Sequence, residues 1–250
     1  MPLPPVLFED DALIAFDKPA GLLLAPDARD RTRENLQDLA RARLGPEAAM
    51  VHRIETEASG VVLYAKTKPA LDFLSGQFQA KTVGKTWHAL TVGVPATDDF
   101  TVDLVMKEDE GRPGVMCVVK KHGQASRTEF TVREKFPRAA GRVGFALVEC
   151  RPVSSRPHQV RLHLAEAGTP ALNDAIYGDD TALLLSDLKR GYKGQADERP
   201  LLARLALHAG GVAFTHPVTR ERLALQSPLP KDFEVALKYL RKFCAKPARR

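Results

Sequence analysis

Short apolar runs alternate along this chain with breaks of charge, glycine or proline, and the spacing of the apolar positions changes from segment to segment. Residues 6–17 carry two apolar runs around an acidic turn and end at Lys18-Pro-Ala-Gly21, a pattern that predicts a hairpin closing on a tight loop. Between 33 and 44, Leu36, Leu39, Ala40 and Leu44 recur at helical spacing and Gly45-Pro46 ends the segment, so a helix is expected there. Pro69 suits the first turn of a second helix, with Leu71, Leu74 and Phe78 as its buried stripe. Residues 85–92 alternate as a strand, and 100–106, 115–119, 127–134 and 143–151 are Val-, Phe- and Thr-rich runs separated by turn residues. A helix is expected over 156–167, with Pro157 in its first turn and Gly168 past its end, which puts Arg161 and Ala165 on one face. Residues 212–215 and 222–226 predict a closing hairpin around His216-Pro217, and Phe233, Ala236, Leu237 and Leu240 a final amphipathic helix. Residues 183–200, with Lys189, Arg190, Lys193 and Arg199, read as an exposed insertion, and the last five residues as a frayed basic tail. The sum is an α+β fold, a mixed and largely antiparallel sheet flanked by helices.

One stretch breaks the apolar rhythm. Val51-His-Arg-Ile-Glu-Thr-Glu-Ala-Ser-Gly60 concentrates a histidine, an arginine, two carboxylates and two hydroxyls, and the apolar run 61–65 follows at once. A polar loop delivered by a rigid strand is where chemistry tends to sit.

Composition narrows the classes. At 250 residues the chain can bury a sizeable core, and 1–250 is expected to be one domain. No stretch approaches the roughly 20 apolar residues of a membrane span, and the start has no basic flank before an apolar core, so a cytoplasmic protein is expected. Cys117, Cys150 and Cys244 lie far apart, with no Cys-x-x-Cys pair, and read as small hydrophobes, not as a disulfide or zinc framework. His52 and His158 lack a second ligand at metal-binding spacing. The net charge of +6 leans toward a polyanionic partner without requiring one.

Five stretches, in order, resemble the RluA-type RNA pseudouridine synthase family: VLFEDDALIAFDKPAGLL, VHRIETEASGVVLYAKT, GKTWHALTVG, SRPHQVRLHLAEAGTP with NDAIYG, and LHAGGVAFTHPVTRERLALQSPLP. The resemblance implies that family's catalytic-domain fold, with RNA in a basic central cleft and an enzyme that isomerises uridine to pseudouridine in ribosomal or transfer RNA; a monomer is expected. It implies no cofactor and no metal. The accessory RNA-binding module that precedes the first motif in some relatives is expected to be missing.

The chemistry breaks the bond from uracil N1 to the ribose and rejoins the ring through C5. Extruding the base costs a few kcal/mol, and stacking on an aromatic side chain recovers about 1–3 kcal/mol. By resemblance, Glu55 stands at the family's catalytic aspartate, Arg161 matches the basic residue that pairs with that carboxylate, and Trp87 stands where a tyrosine is usual. Glutamate moves the carboxylate by more than about an ångström unless the backbone compensates, a misplacement that can cost on the order of 100-fold in rate. Tryptophan stacks on a base, but its indole N–H cannot accept a proton as a phenol oxygen can. His52, Arg53, Lys18, Lys85, His158 and Gln159 are the candidate RNA contacts, and Glu57 reads as structural. Three readings remain: a synthase using Glu55, a synthase-like protein that binds RNA with its chemistry impaired or lost, or a synthase whose longer carboxylate and larger aromatic suit another nucleotide context.

Overall fold

In chain order the strands and helices begin with β1 (Val6–Glu9), β2 (Leu13–Lys18), α1 (Leu36–Leu44), β3 (Ala49–Met50), β4 (Ser59–Ala65), α2 (Lys68–Gln79) and β5 (Gly84–Val92). They continue with β6 (Asp99–Glu108), β7 (Met116–Val118), β8 (Gln124–Phe136), β9 (Phe145–Pro152), α3 (Gln159–Glu166), α4 (Leu185–Leu188), β10 (Leu207–Thr215), β11 (Arg222–Gln226) and α5 (Lys231–Phe243). This computed structural model describes residues 2–138, 142–179, 181–189, 191–192 and 197–244. The chain divides into two units, Met1–Trp87 with His208–Pro228, and His88–Leu207 with Leu229–Arg250.

In the first unit the strands run β1-β2-β4-β10, with β3 on β4 and β11 on β10. β2 is antiparallel to β4, whereas β10 joins β4 in parallel. Every residue of β4 is buried, as its continuous apolar run requires of a strand covered on both faces. Alternation then sorts the side chains. Leu13, Ala15, Val61 and Leu63 pack with Ala70 and Leu74 of α2, while Ile14, Phe16, Val62 and Tyr64 pack with Leu36 and Ala40 of α1. α1 starts three residues after the predicted point because Asn35 caps it, accepting the Asp38 amide at 3.0 Å. Gln77 of α2 both donates to the carbonyl and accepts from the amide of Thr215, at 2.8 Å each, which fastens the helix to β10.

The second unit is an antiparallel sheet in the order β9-β8-β6-β7, begun by the later half of β5. Leu90, Val92, Phe145 and Leu147 build its core with Phe233, Ala236, Leu237 and Leu240 of α5, the stripe read from sequence. α3 begins at Gln159, not at 156, because His158 is left-handed with φ of 52° and breaks the helical run. Pro157 therefore lies before the helix. The 183–200 segment is not wholly an exposed insertion: Leu183 is buried and Leu188 packs on the same core. Arg190 and Lys193, like the basic tail, lie outside the described residues.

Candidate active site

The polar loop between β3 and β4 is tied down along its length, all within the first unit. At its entry the Val51 amide donates to the Leu63 carbonyl at 2.9 Å, and the Leu63 amide donates to His52 Nε2 at 3.2 Å. The His52 imidazole thus takes the place of a strand carbonyl, and its ring stacks on Phe78 at 5.0 Å. Burial, helped by the Lys85 charge, lowers the His52 pKa to about 4, so the ring is neutral at physiological pH. In mid-loop the Thr56 carbonyl accepts from Lys18 Nζ at 2.9 Å and from the Gly21 amide at 2.7 Å. At the exit Ser59 Oγ meets His208 Nδ1 at 3.0 Å. Gly60 follows with φ of 118°, and a Cβ there would stand 2.2 Å from the Ala209 carbonyl oxygen, so no other residue fits.

Glu55 sits between these ties. Its carbonyl accepts the Ala58 amide at 3.2 Å, forming a tight turn, and its Oε2 is shielded from solvent. Ile54 is buried in the cluster on which Trp87 packs, so the loop and the aromatic of β5 share one apolar floor. Lys85, two residues before Trp87, projects from the same face of β5. Partial burial, with Lys81 nearby, lowers its ammonium to about 8. Arg53 and Glu57 are exposed.

In the second unit Arg161 is buried on α3 and grips Asp174 with two bonds, Nε to Oδ2 at 2.8 Å and Nη2 to Oδ1 at 2.6 Å. Burial pushes the Asp174 carboxyl up, but Arg161 and the Ile176 and Tyr177 amides outweigh it and hold the pKa below its usual value. The guanidinium lies 5.4 Å from the centre of the Tyr177 ring. Tyr177 Oη accepts the Met116 amide at 2.8 Å and is hydrogen-bonded to His158 Nδ1 at 3.0 Å.

Two of the expected RNA contacts are corrected by burial. Lys18 is fully buried, and its ammonium donates to the Pro19, Leu22 and Thr56 carbonyls at 2.9, 3.0 and 2.9 Å; it braces the loop and is closed to a phosphate. Gln159 is also buried. It accepts from Ser154 and the Arg156 amide and donates to the Arg127 carbonyl and Thr128, which fills its capacity inside the unit. Sequence reasoning left Asp174, Tyr177, Ser59 and His208 without roles, although all four lie in the quoted motifs. For His208 the signal was a histidine inside an otherwise apolar run. Among the described residues no group of three or more His, Cys, Asp or Glu side chains is placed to hold a metal, and no helix is long and apolar enough to cross a membrane.

Comparison with known proteins accounts for the arrangement. The ribosomal large subunit pseudouridine synthase D of Neisseria meningitidis serogroup A is 32% identical over 94% of this chain, which spans 61% of that protein's length. The ribosomal large subunit pseudouridine synthase C of Vibrio vulnificus is 33% identical over 94% of this chain and 69% of its own length. The solved structure of human RNA pseudouridylate synthase domain containing 4 superposes with a TM-score of 0.68 at 25% identity, covering 94% of this chain and 92% of the other. Residues 12–166, from β2 through α3, match the family described as RNA pseudouridylate synthase. The motifs, the fold and these relatives agree: the chain belongs to the RNA pseudouridylate synthase family.

Proposed function

We propose that this chain is an RNA pseudouridine synthase, a cytoplasmic, monomeric isomerase that converts uridine to pseudouridine with Glu55 as its catalytic carboxylate. The observation that carries the reading is the loop itself: Glu55 stands on a backbone tied at His52, Thr56 and Ser59, with one carboxylate oxygen kept from solvent. Such a loop holds one acid group in a fixed place, as positional catalysis demands. Ribosomal RNA is the favoured substrate over transfer RNA, because the curated relatives are named for the large ribosomal subunit. The impaired, binding-only reading rests on Glu55 and Trp87 alone, against a match that runs over most of the chain.

Trp87 is the platform for the extruded uracil, supplying a stacking surface in place of a phenol. Arg161, oriented by Asp174, stands at the position of the family's basic residue, which is the part it takes by resemblance. Arg53 and Lys85 are the cations offered to the RNA backbone. In the reaction the N1–C1′ bond breaks, C5 bonds to C1′, the C5 hydrogen leaves as a proton, and N1 gains one. No atom of the uracil ring is lost.

Because C5 gives up its hydrogen, tritium release from RNA labelled at uridine C5 reads turnover. The natural protein is expected to release tritium from ribosomal RNA and Glu55→Ala to fall to background. Glu55→Asp is expected to lose on the order of 10- to 100-fold, because the tied loop cannot advance to replace the missing methylene. No release by the natural protein, with activity appearing only in Glu55→Asp, would sink the proposal and mark an RNA-binding relative.

A further inference from the structure

A buried polar chain runs through the first unit and ends on the loop that carries Glu55. Ser227 Oγ donates to Asp17 Oδ1 at 2.7 Å. The Ser227 carbonyl can only accept, so His208 Nε2, 3.2 Å away, carries the proton. Nδ1 is then an acceptor, and the Ser59 hydroxyl, 3.0 Å away, donates to it. Ser59, His208 and Ser227 are 2%, 0% and 6% exposed. Water therefore has little access to replace these bonds.

Burying such a chain costs stability that apolar residues of similar volume would not. What it provides is direction. Asp17 anchors the chain that reaches Ser59, and its neighbour Lys18 holds the Thr56 carbonyl. Adjacent residues at the end of β2 thereby hold the loop at two points, Thr56 inside the Glu55–Ala58 turn and Ser59 just past it. Beyond Ser59, the contact of Gly60 with Ala209 fixes the backbone against the residue that follows His208.

We propose that Ser59 and His208 are positioning residues for the Glu55 carboxylate, acting through the loop backbone. The inference rests on the synthase reading, and its test separates the two. Ser59→Ala removes one hydroxyl and leaves the fold's volume intact. His208→Gln keeps a donor and an acceptor at the two ends, whereas His208→Leu keeps neither. kcat and KM for tritium release would be measured beside hydrogen exchange at the Ala58 amide, which bonds to the Glu55 carbonyl.

Ser59→Ala is expected to lower kcat on the order of 10-fold with KM within about twofold, a split that misplacement of a catalytic group produces. Ala58 should exchange at least about tenfold faster while the amides of β2 and β4 stay protected. His208→Leu should lose more, and His208→Gln should recover most of that loss. An unchanged kcat in Ser59→Ala overturns the proposal, whatever the exchange shows. So does a loss spread evenly over kcat, KM and the protection of the whole unit, which is the mark of a merely structural bond. If the natural protein releases no tritium, the synthase reading fails on its own, and Ala58 exchange alone decides whether the chain holds the loop.

Discussion

A single methylene separates Glu55 from an aspartate, and what that methylene means depends on whether the backbone beneath it can move. The ties at Leu63, Thr56, His208 and Ala209 answer that the reach must come from the side chain. Lys18 shows the same dependence on surroundings. In the sequence it is a charge beside a motif, and charge suggested a phosphate. In the fold it is an ammonium coordinated by three carbonyls, because the Pro19–Gly21 turn folds back over it. Burial is a property of what packs around a residue, which no local pattern shows. Lys18→Met is expected to fill a similar volume, take the donor from the Pro19 and Leu22 carbonyls and destabilise the first unit by about 1–3 kcal/mol in a denaturant melt. The placement of Glu55 on a loop before a strand and of Arg161 on a helix was legible because motif spacing carries both. Asp174, which aims Arg161, was not, since the pairing closes a turn that sequence spacing does not reveal.

Elements were legible where one periodicity held without interruption. The stripe of α5 and the strands β6 and β8 came through because burial on one side enforces them. Ends were misread where a single residue overrides the period: the left-handed His158 delays α3, and Asn35 delays α1. Asn35 makes a reciprocal cap, accepting the Asp38 amide and donating to the Asp38 carboxylate at 2.8 Å. Asn35→Ala is expected to cost about 1 kcal/mol and to unprotect the first turn of α1 in hydrogen exchange, leaving α2 unaffected. The N-terminal part of β10 was missed for a different reason. Its His208-Ala-Gly-Gly211 sequence has little strand propensity, and parallel pairing with β4 supplies what propensity does not.

At the scale of the whole molecule, each unit holds a histidine that burial keeps neutral. His52 in the first and His163 in the second both have pKa values lowered to about 4. For His163 the reason is visible: Ser126 donates to the Leu104 carbonyl at 2.9 Å and accepts from Nε2 at 2.8 Å, while Nδ1 is buried with no hydrogen-bond partner among the described residues. A proton added there would find no acceptor. The unfolded chain takes up protons as pH falls through about 6.5 while the folded units refuse them until about 4. The stability from these groups is therefore complete above 6.5 and is lost between 6.5 and 4, by on the order of 3 kcal/mol for His163. Urea melts at pH 7 and pH 4.5 should show the loss, and His163→Gln, whose amide does not titrate, should flatten it. The carbonyl cage around Lys18 has a consequence of another kind. An amine-reactive reagent needs a neutral nitrogen and a path to it, and Lys18 offers neither while the loop is closed. In the intact protein it is chemically silent, so a label found on Lys18 records that a molecule had opened its first unit, a tally kept one excursion at a time.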